Sequence, residues 1–490
     1  MKIQFILPLL FSGVGMAQSA GSFTATGNLS TGRLHHTATL LPNRKVLIAG
    51  GVFSPPPIPT TPFFDFLASA ELYDPATGEF TPTGSMSAHR AFHTAILLAN
   101  GKVLIVGGGY SASAELYDPA SGTFSPTGDM LLARTSGPTA TLLNDGRVLI
   151  AGGGLGSYAL TDAELYDPSS GTFTATGSLN KLRYGGVATM LSNGKVLVDG
   201  GVVLPDIDAS EIYDPATASF ALAGTGAYSN GDGPVEATLL TNGKVLEIVG
   251  PVWLCDDDCD TSHDAVLYDP LTSTFTATGQ STSSRSLVAG YDTAITLLPD
   301  GTVLIAGSGL GELFDPAIST FTSSVSMMPV RSGHTATLLT DGTVLVAGGQ
   351  DDGRFLVGST AEIYHPAVLI PAPALFSLSG DGRGQGAIWH SATGQTASSQ
   401  NPAVAGEILS TYTASLFEGG VIPPRIAIGG QLAEILYFGD APGYPGYYQV
   451  NFRVPDGVAA GSAVPVRLTY IGRSSNEVTI GVQLVSEGSR

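Results

Sequence analysis

Five arginines recur at matched points of the sequence. Arg33, Arg90, Arg183 and Arg331 stand at one fixed distance before the same position of a recurring apolar strand, and Arg134 is displaced by one residue. Gathered at one mouth of a channel, such guanidinium groups bind carboxylate or sulfate bidentately. The competing reading is that each arginine ties neighbouring repeats together through backbone carbonyls. His36, His93 and His334 hold matching positions at the start of that strand, where metal binding competes with one local hydrogen bond per repeat. Three acids stand where other repeats are apolar or neutral: Asp199 for an alanine, Glu247 for an isoleucine and Glu236 for a threonine. A buried carboxylate needs a partner or a raised pKa, and two such groups can be the acid and base of a glycosidase or lyase. Acids tolerated in a degenerate repeat are the simpler reading. The segment "CDDDCDTSHD" sets Asp256, Asp258, Asp260, Ser262 and Asp264 at alternate positions, an oxygen density that calcium accepts. It is not an EF-hand, since Thr261 stands where the turn glycine belongs and Leu267 where the closing glutamate belongs. His263 in the same loop suits a transition metal equally well.

The elements that must position these residues repeat through most of the chain. An apolar strand such as "HTATLL" leads into an Asn-Gly or Asp-Gly turn, and a strand such as "KVLIAGG" follows. A variable loop, "AELYDPA" and "GTFTATG" complete the unit, and the turns are hairpin signals. Seven first strands end at Leu41, Leu98, Leu143, Leu191, Leu240, Leu298 and Leu339. The third strands carry Tyr73, Tyr117, Tyr166, Tyr213, Tyr268, Phe314 and Tyr364, each two residues before a proline that ends the strand. Four short strands per unit of about fifty residues predict a propeller blade. The last unit stops at "AEIYHPA" without a fourth strand, whereas "GSFTATG" at 21–27 precedes everything else. The leading segment is therefore expected to supply the outer strand of the last blade and remove an exposed sheet edge.

Composition bounds the function. Only 13% of the 490 residues are charged and the net charge is -20, which disfavours nucleic acid and anionic lipid as partners. Lys2, an apolar run from Ile3 to about Val14 and the small residues around Gly15-Met16-Ala17 read as a signal peptide over 1–17. That run is too short to span a bilayer and no later stretch can do so. Export permits a disulfide between Cys255 and Cys259, the only two cysteines, which lie four apart in one loop. After the propeller at 18–367 and a proline-bearing linker at 368–374, a different alternation over 375–490 predicts about seven strands of an immunoglobulin-like sandwich.

The repeats resemble the kelch repeat, with diglycines at Gly50-Gly51, Gly107-Gly108, Gly152-Gly153, Gly200-Gly201 and Gly348-Gly349 and the downstream Tyr and Phe as its aromatic pair. The resemblance implies an all-β, seven-bladed kelch-type β-propeller, and Val249-Gly250 and Gly307-Ser308 depart from the diglycine in the fifth and sixth units. In kelch adaptors arginines at the equivalent position help form a ligand pocket. The C-terminal segments "GDGRGQGAIWH" and "SSNEVTI" resemble an uncharacterised domain of secreted proteins from soil bacteria. A seven-bladed propeller followed by an immunoglobulin-like module also resembles the galactose oxidase family, with His334 falling on a copper-ligand position. Gly333 stands where that family's ligand tyrosine belongs, and Cys255 and Cys259 have each other as nearest partner rather than a tyrosine, so copper is disfavoured. Nothing resembles a serine nucleophile elbow, a phosphate loop or a paired-cysteine zinc site, and "DGRGQG" lacks the strand-to-helix context of a dinucleotide site.

The expected protein is an exported binding or interaction protein that presents its propeller to an extracellular glycan or surface protein, with no cofactor unless the acidic loop holds calcium. The alternative is a carbohydrate-active enzyme, either a galactose oxidase-like copper oxidase or an acid/base enzyme using Asp199, Glu236 and Glu247. Convergence of those acids, or of the three histidines, in one pocket distinguishes the enzyme from the binding protein.

Overall fold

The computed structural model describes residues 21–484 except 54–64, 157, 202–208, 226–231, 252–264, 280–292, 308–309, 328–330 and 352–355. The expected signal peptide, Cys255 and Cys259 with their disulfide, and the calcium candidates Asp256, Asp258, Asp260 and Asp264 lie outside the described residues.

The first repeat shows how each blade forms. Thr37–Leu40 pairs with Val46–Ala49, which pairs with Ala70–Asp74, which pairs with Glu79–Pro82, all antiparallel. The second strand is an unbroken apolar run because both of its faces are covered. Leu47 and Ala49 pack on Val103 and Ile105 of the next sheet, and Ile48 packs on Leu345 and Ala347 of the sheet before. The turns between first and second strands need a left-handed residue. Gly101, Gly146, Gly194, Gly243, Gly301 and Gly342 supply it at φ between 81° and 94°, and in the first repeat Arg44 takes that conformation at 72°.

Seven such four-stranded sheets stand around one axis. Their innermost strands are Thr37–Leu40, Thr94–Leu97, Thr139–Leu142, Val187–Met190, Asp232–Leu239, Ala294–Leu297 and Thr335–Leu338. They neighbour one another in that order, and the last returns to the first. The seventh sheet is completed by Ser22–Ala25, which pairs with Ala361–His365 and sets Phe23 opposite Tyr364. These two rings lie 5.1 Å apart, matching the Tyr73–Phe80 and Tyr117–Phe124 pairs at 4.8 and 4.9 Å. The detached strand thus rebuilds the aromatic pair of every other blade and covers the edge of Ala361–His365.

The first strands run from a mouth bearing the arginines to a face bearing the Gly turns. The second strands return, so the loops after them emerge at the arginine mouth. The turn face is covered by a sandwich of two further sheets. One contains Ile388–His390, Ile408–Thr413, Tyr448–Arg453 and Glu434–Asp440, and the other is built mainly from Arg473–Gln483, Gly461–Tyr470 and Arg425–Ile428. They share a core including Ile388, Phe452, Val466 and Ile480. Bonds from Val421 N to Thr241 O (3.0 Å) and Ala372 N to Thr340 O (3.0 Å) fix the sandwich to the blade turns. No helix among the described residues is long and apolar enough to cross a membrane.

Candidate functional site

The five arginines lie inside the blades. Arg33, Arg90, Arg134, Arg183 and Arg331 are each no more than 2% exposed, and each pairs with a glutamate on the third strand of its own blade. The partners are Glu71 at 2.8 Å, Glu115 at 3.2 Å, Glu164 at 2.7 Å, Glu211 at 3.2 Å and Glu362 at 3.1 Å. Each guanidinium also donates to the carbonyl of the first diglycine residue, as from Arg33 to Gly50 (2.9 Å) and Arg90 to Gly107 (3.0 Å). The glutamates accept in addition from backbone, Glu71 from Ser30 N at 2.8 Å and Glu115 from Ser87 N at 2.7 Å. Burial lowers the Arg33 and Arg90 pKa, and the neighbouring Glu71 and Glu115 carboxylates oppose it.

The same arginines join blades through their main chain. Gly51 N donates to Arg90 O at 2.8 Å, Gly108 N to Arg134 O at 2.9 Å, Gly153 N to Arg183 O at 2.8 Å and Gly349 N to Arg33 O at 2.8 Å. The diglycine permits this approach, because a Cβ on Gly50 would stand 2.5 Å from Arg90 O. The sequence reading weighed a cationic ring at the mouth against ties between neighbouring repeats. The guanidinium groups instead hold their own blade while their carbonyls hold the blade before.

The histidines form a second set of ties. His36 Nε2 bonds Thr335 Oγ1 at 3.1 Å and His93 Nε2 bonds Thr37 Oγ1 at 3.0 Å, while His334 Nε2 donates to Ala306 O at 3.2 Å. Each ring therefore reaches the preceding blade. Burial lowers the His93 pKa to about 3 and that of His334 to about 4, and holds His36 well below the ordinary value. These imidazoles are neutral spacers. Beside them runs a belt of left-handed residues, in which His35 N donates to Gly333 O, Phe92 N to His35 O, Gly137 N to Phe92 O and Gly185 N to Gly137 O. His35 stacks on Phe92 with centroids 4.2 Å apart.

The three acids are divided between two faces of one blade. In the fifth blade Ala237 stands opposite Glu247, so Glu247 and Glu236 project to opposite sides of the sheet. Glu247 faces the fourth blade, the side where Asp199 of that blade accepts bonds from Gly200 N (2.7 Å) and Ser210 Oγ (2.5 Å). Glu236 faces the sixth blade, and burial raises its pKa to about 8. Asp199 and Glu247 thus share a blade junction, while the sheet separates them from Glu236.

Two features escaped the sequence reading. The glutamates that pair with the arginines were visible as the second letter of "AELYD", repeated in the blades that carry the arginine. The other is Arg425 of the sandwich, which donates through Nη2 to Leu142 O at 3.0 Å and borders a cavity of about 560 Å³ at the turn end of the channel. No periodic signal marks it, because it comes from outside the repeats. Among the described residues no three His, Cys, Asp or Glu side chains come together in a metal-binding group.

No protein-family model matches the chain, and no curated protein matches it either. Among solved structures it is similar to a fungal alcohol oxidase described as having catalytic diversity among the AA5 family and as being in complex with copper. The TM-score is 0.60 at 17% identity, over 95% of this chain and 100% of that one. At that identity the likeness establishes the fold alone: an all-β propeller with a following β-sandwich.

Proposed function

We propose that this is an exported binding protein that presents the arginine-mouth face of its propeller to an extracellular glycan. The signal peptide at 1–17, the kelch character of the repeats, domain limits at 367 and 375 and the Cys255–Cys259 disulfide belong to this reading. Its support is the aromatic surface of that face. Phe66 and Tyr110, from the loops after the second strands of adjacent blades, stack 6.1 Å apart at 7° between planes, and Tyr110 is 88% exposed. Tyr158, from the corresponding loop of the third blade, is 78% exposed. Flat exposed rings offer apolar faces to the C–H side of a pyranose, and an exposed aromatic cluster marks an interaction surface. The arginines and histidines are meanwhile engaged in holding blades together, and Asp199 bonds within its own blade. A glycan array probed with the purified protein tests the reading, and Tyr110→Ala is expected to weaken binding at least tenfold. Absence of binding to any glycan, or full binding by the variant, overturns it.

A second reading, a copper alcohol oxidase, is favoured by the likeness to the fungal enzyme over nearly the whole chain. The described residues do not fit the metal: His36, His93 and His334 point to three different blade junctions, and Gly333 has no side chain to offer. Stoichiometric copper in the purified protein, with oxidation of an alcohol, would establish the oxidase instead.

A further inference from the structure

At the turn end of the channel the blades and the sandwich line a cavity that holds one uncompensated charge. Its collar is apolar, formed by the last residues of six innermost strands: Leu40, Leu97, Leu142, Leu239, Leu297 and Leu338. The sandwich roofs it with Arg425, Ile422 and Ile471. Among the described residues no aspartate or glutamate lines this volume, although the chain carries 41 acidic residues against 21 basic ones. Arg467, the other cation on its wall, pairs with Glu477 at 2.6 Å. Arg425 has no ion-pair partner among the described residues, and its one hydrogen bond, to Leu142 O, engages Nη2 alone. Burial lowers its pKa with no carboxylate to oppose the effect. Arginine remains charged under these conditions, so a half-buried guanidinium, with N–H groups that no described residue engages, faces a cavity of ligand size.

We propose that this cavity is a binding site for an organic monocarboxylate with an apolar body, its carboxylate held by Arg425 and its chain by the leucine collar. One free positive charge matches one negative charge. A planar guanidinium pairs with a carboxylate by parallel hydrogen bonds. The leucine collar favours a hydrocarbon tail over a hydrated inorganic ion. Arg425, Leu239, Ile422 and Ile471 also border a wider crevice of about 1010 Å³ between the sandwich and the blades, which provides the way in. The site is at the opposite end of the channel from the aromatic face and is independent of it.

Isothermal titration of the full-length mature protein with sodium octanoate tests the proposal, with 1-octanol and sodium chloride as probes for the tail alone and the charge alone. The expected result is saturable binding of one octanoate per chain, at least tenfold tighter than either control. Arg425→Met is expected to weaken octanoate at least tenfold and leave octanol unchanged. Should that variant fail to fold, Leu297→Trp, which fills the collar while keeping Arg425, is expected to abolish binding. Absence of saturable octanoate binding, equal binding of octanol or chloride, or unchanged octanoate affinity in either folded variant overturns the proposal.

Discussion

Replacing Glu236 by glutamine should remove a pH-dependent weakness from the fifth blade. The position is threonine in the first, second, third and seventh blades, at Thr37, Thr94, Thr139 and Thr335, where a small hydroxyl meets the next blade. Glu236 puts a carboxyl there with no ion-pair partner among the described residues, and burial raises its pKa from the ordinary 4.5 to about 8. The folded protein therefore keeps a proton that the unfolded chain gives up. Stability from this group is fully present below pH 4.5 and is lost as pH rises through about 8. Each tenfold difference in proton affinity is worth about 1.4 kcal/mol, which sets an upper bound of roughly 4–5 kcal/mol. The side chain retains some solvent contact, which reduces the expected loss to about 2–4 kcal/mol. Urea unfolding of wild type and Glu236→Gln at intervals from pH 5 to pH 9 measures it. The wild type should fall by that amount relative to the variant across the range. A difference that stays flat with pH would refute the reasoning.

The arginine clamps predict an asymmetry. Glu115→Gln, which leaves Arg90 buried without its countercharge, should cost about 3–5 kcal/mol in denaturant unfolding, while the Arg90→Met, Glu115→Leu double variant should cost less than the single one. The neutral histidines predict acid sensitivity: stability is full above about pH 6.5 and falls as pH drops towards 4 and 3, where His334 and His93 take up protons. Acid unfolding of His93→Gln should have its midpoint at lower pH than wild type, and an unchanged midpoint would count against this role. Arg44→Gly, which supplies the residue used by the other six turns, should raise stability by up to about 1 kcal/mol, read as a shift in urea midpoint at constant slope.

Periodicity made the fold legible. Seven copies of the same strand ends and the missing fourth strand after "AEIYHPA" were enough to anticipate that the leading segment would complete the last blade, where Phe23 in fact faces Tyr364. Spacing also exposed the arginines, but spacing alone does not give direction. Whether a guanidinium points to the axis or into its blade depends on the nearest acid, and that acid lies about 25–38 residues further on, as with Glu115 after Arg90 and Glu71 after Arg33. The internal comparison was available: the fifth blade has Val266 at the glutamate position and Asp232 at the arginine position, so both halves of the pair vanish together. The sequence grouped Asp199, Glu236 and Glu247 without showing which two meet, because a blade junction joins residues of different repeats. Arg425 was beyond reach, since its surroundings are created only when the sandwich docks on the turn face.

The pairing of Ser22–Ala25 with Ala361–His365 sets a timing constraint on the molecule. The hydrogen bond from Thr24 to His365 spans 341 positions of chain, so a nascent polypeptide must keep its opening segment unpaired until nearly three quarters of its length is made. Any product cut short before that point retains a frayed rim with an apolar margin, a ready target for quality-control proteases. The annulus thus doubles as a completeness check, locking only when the chain has been made through its last blade.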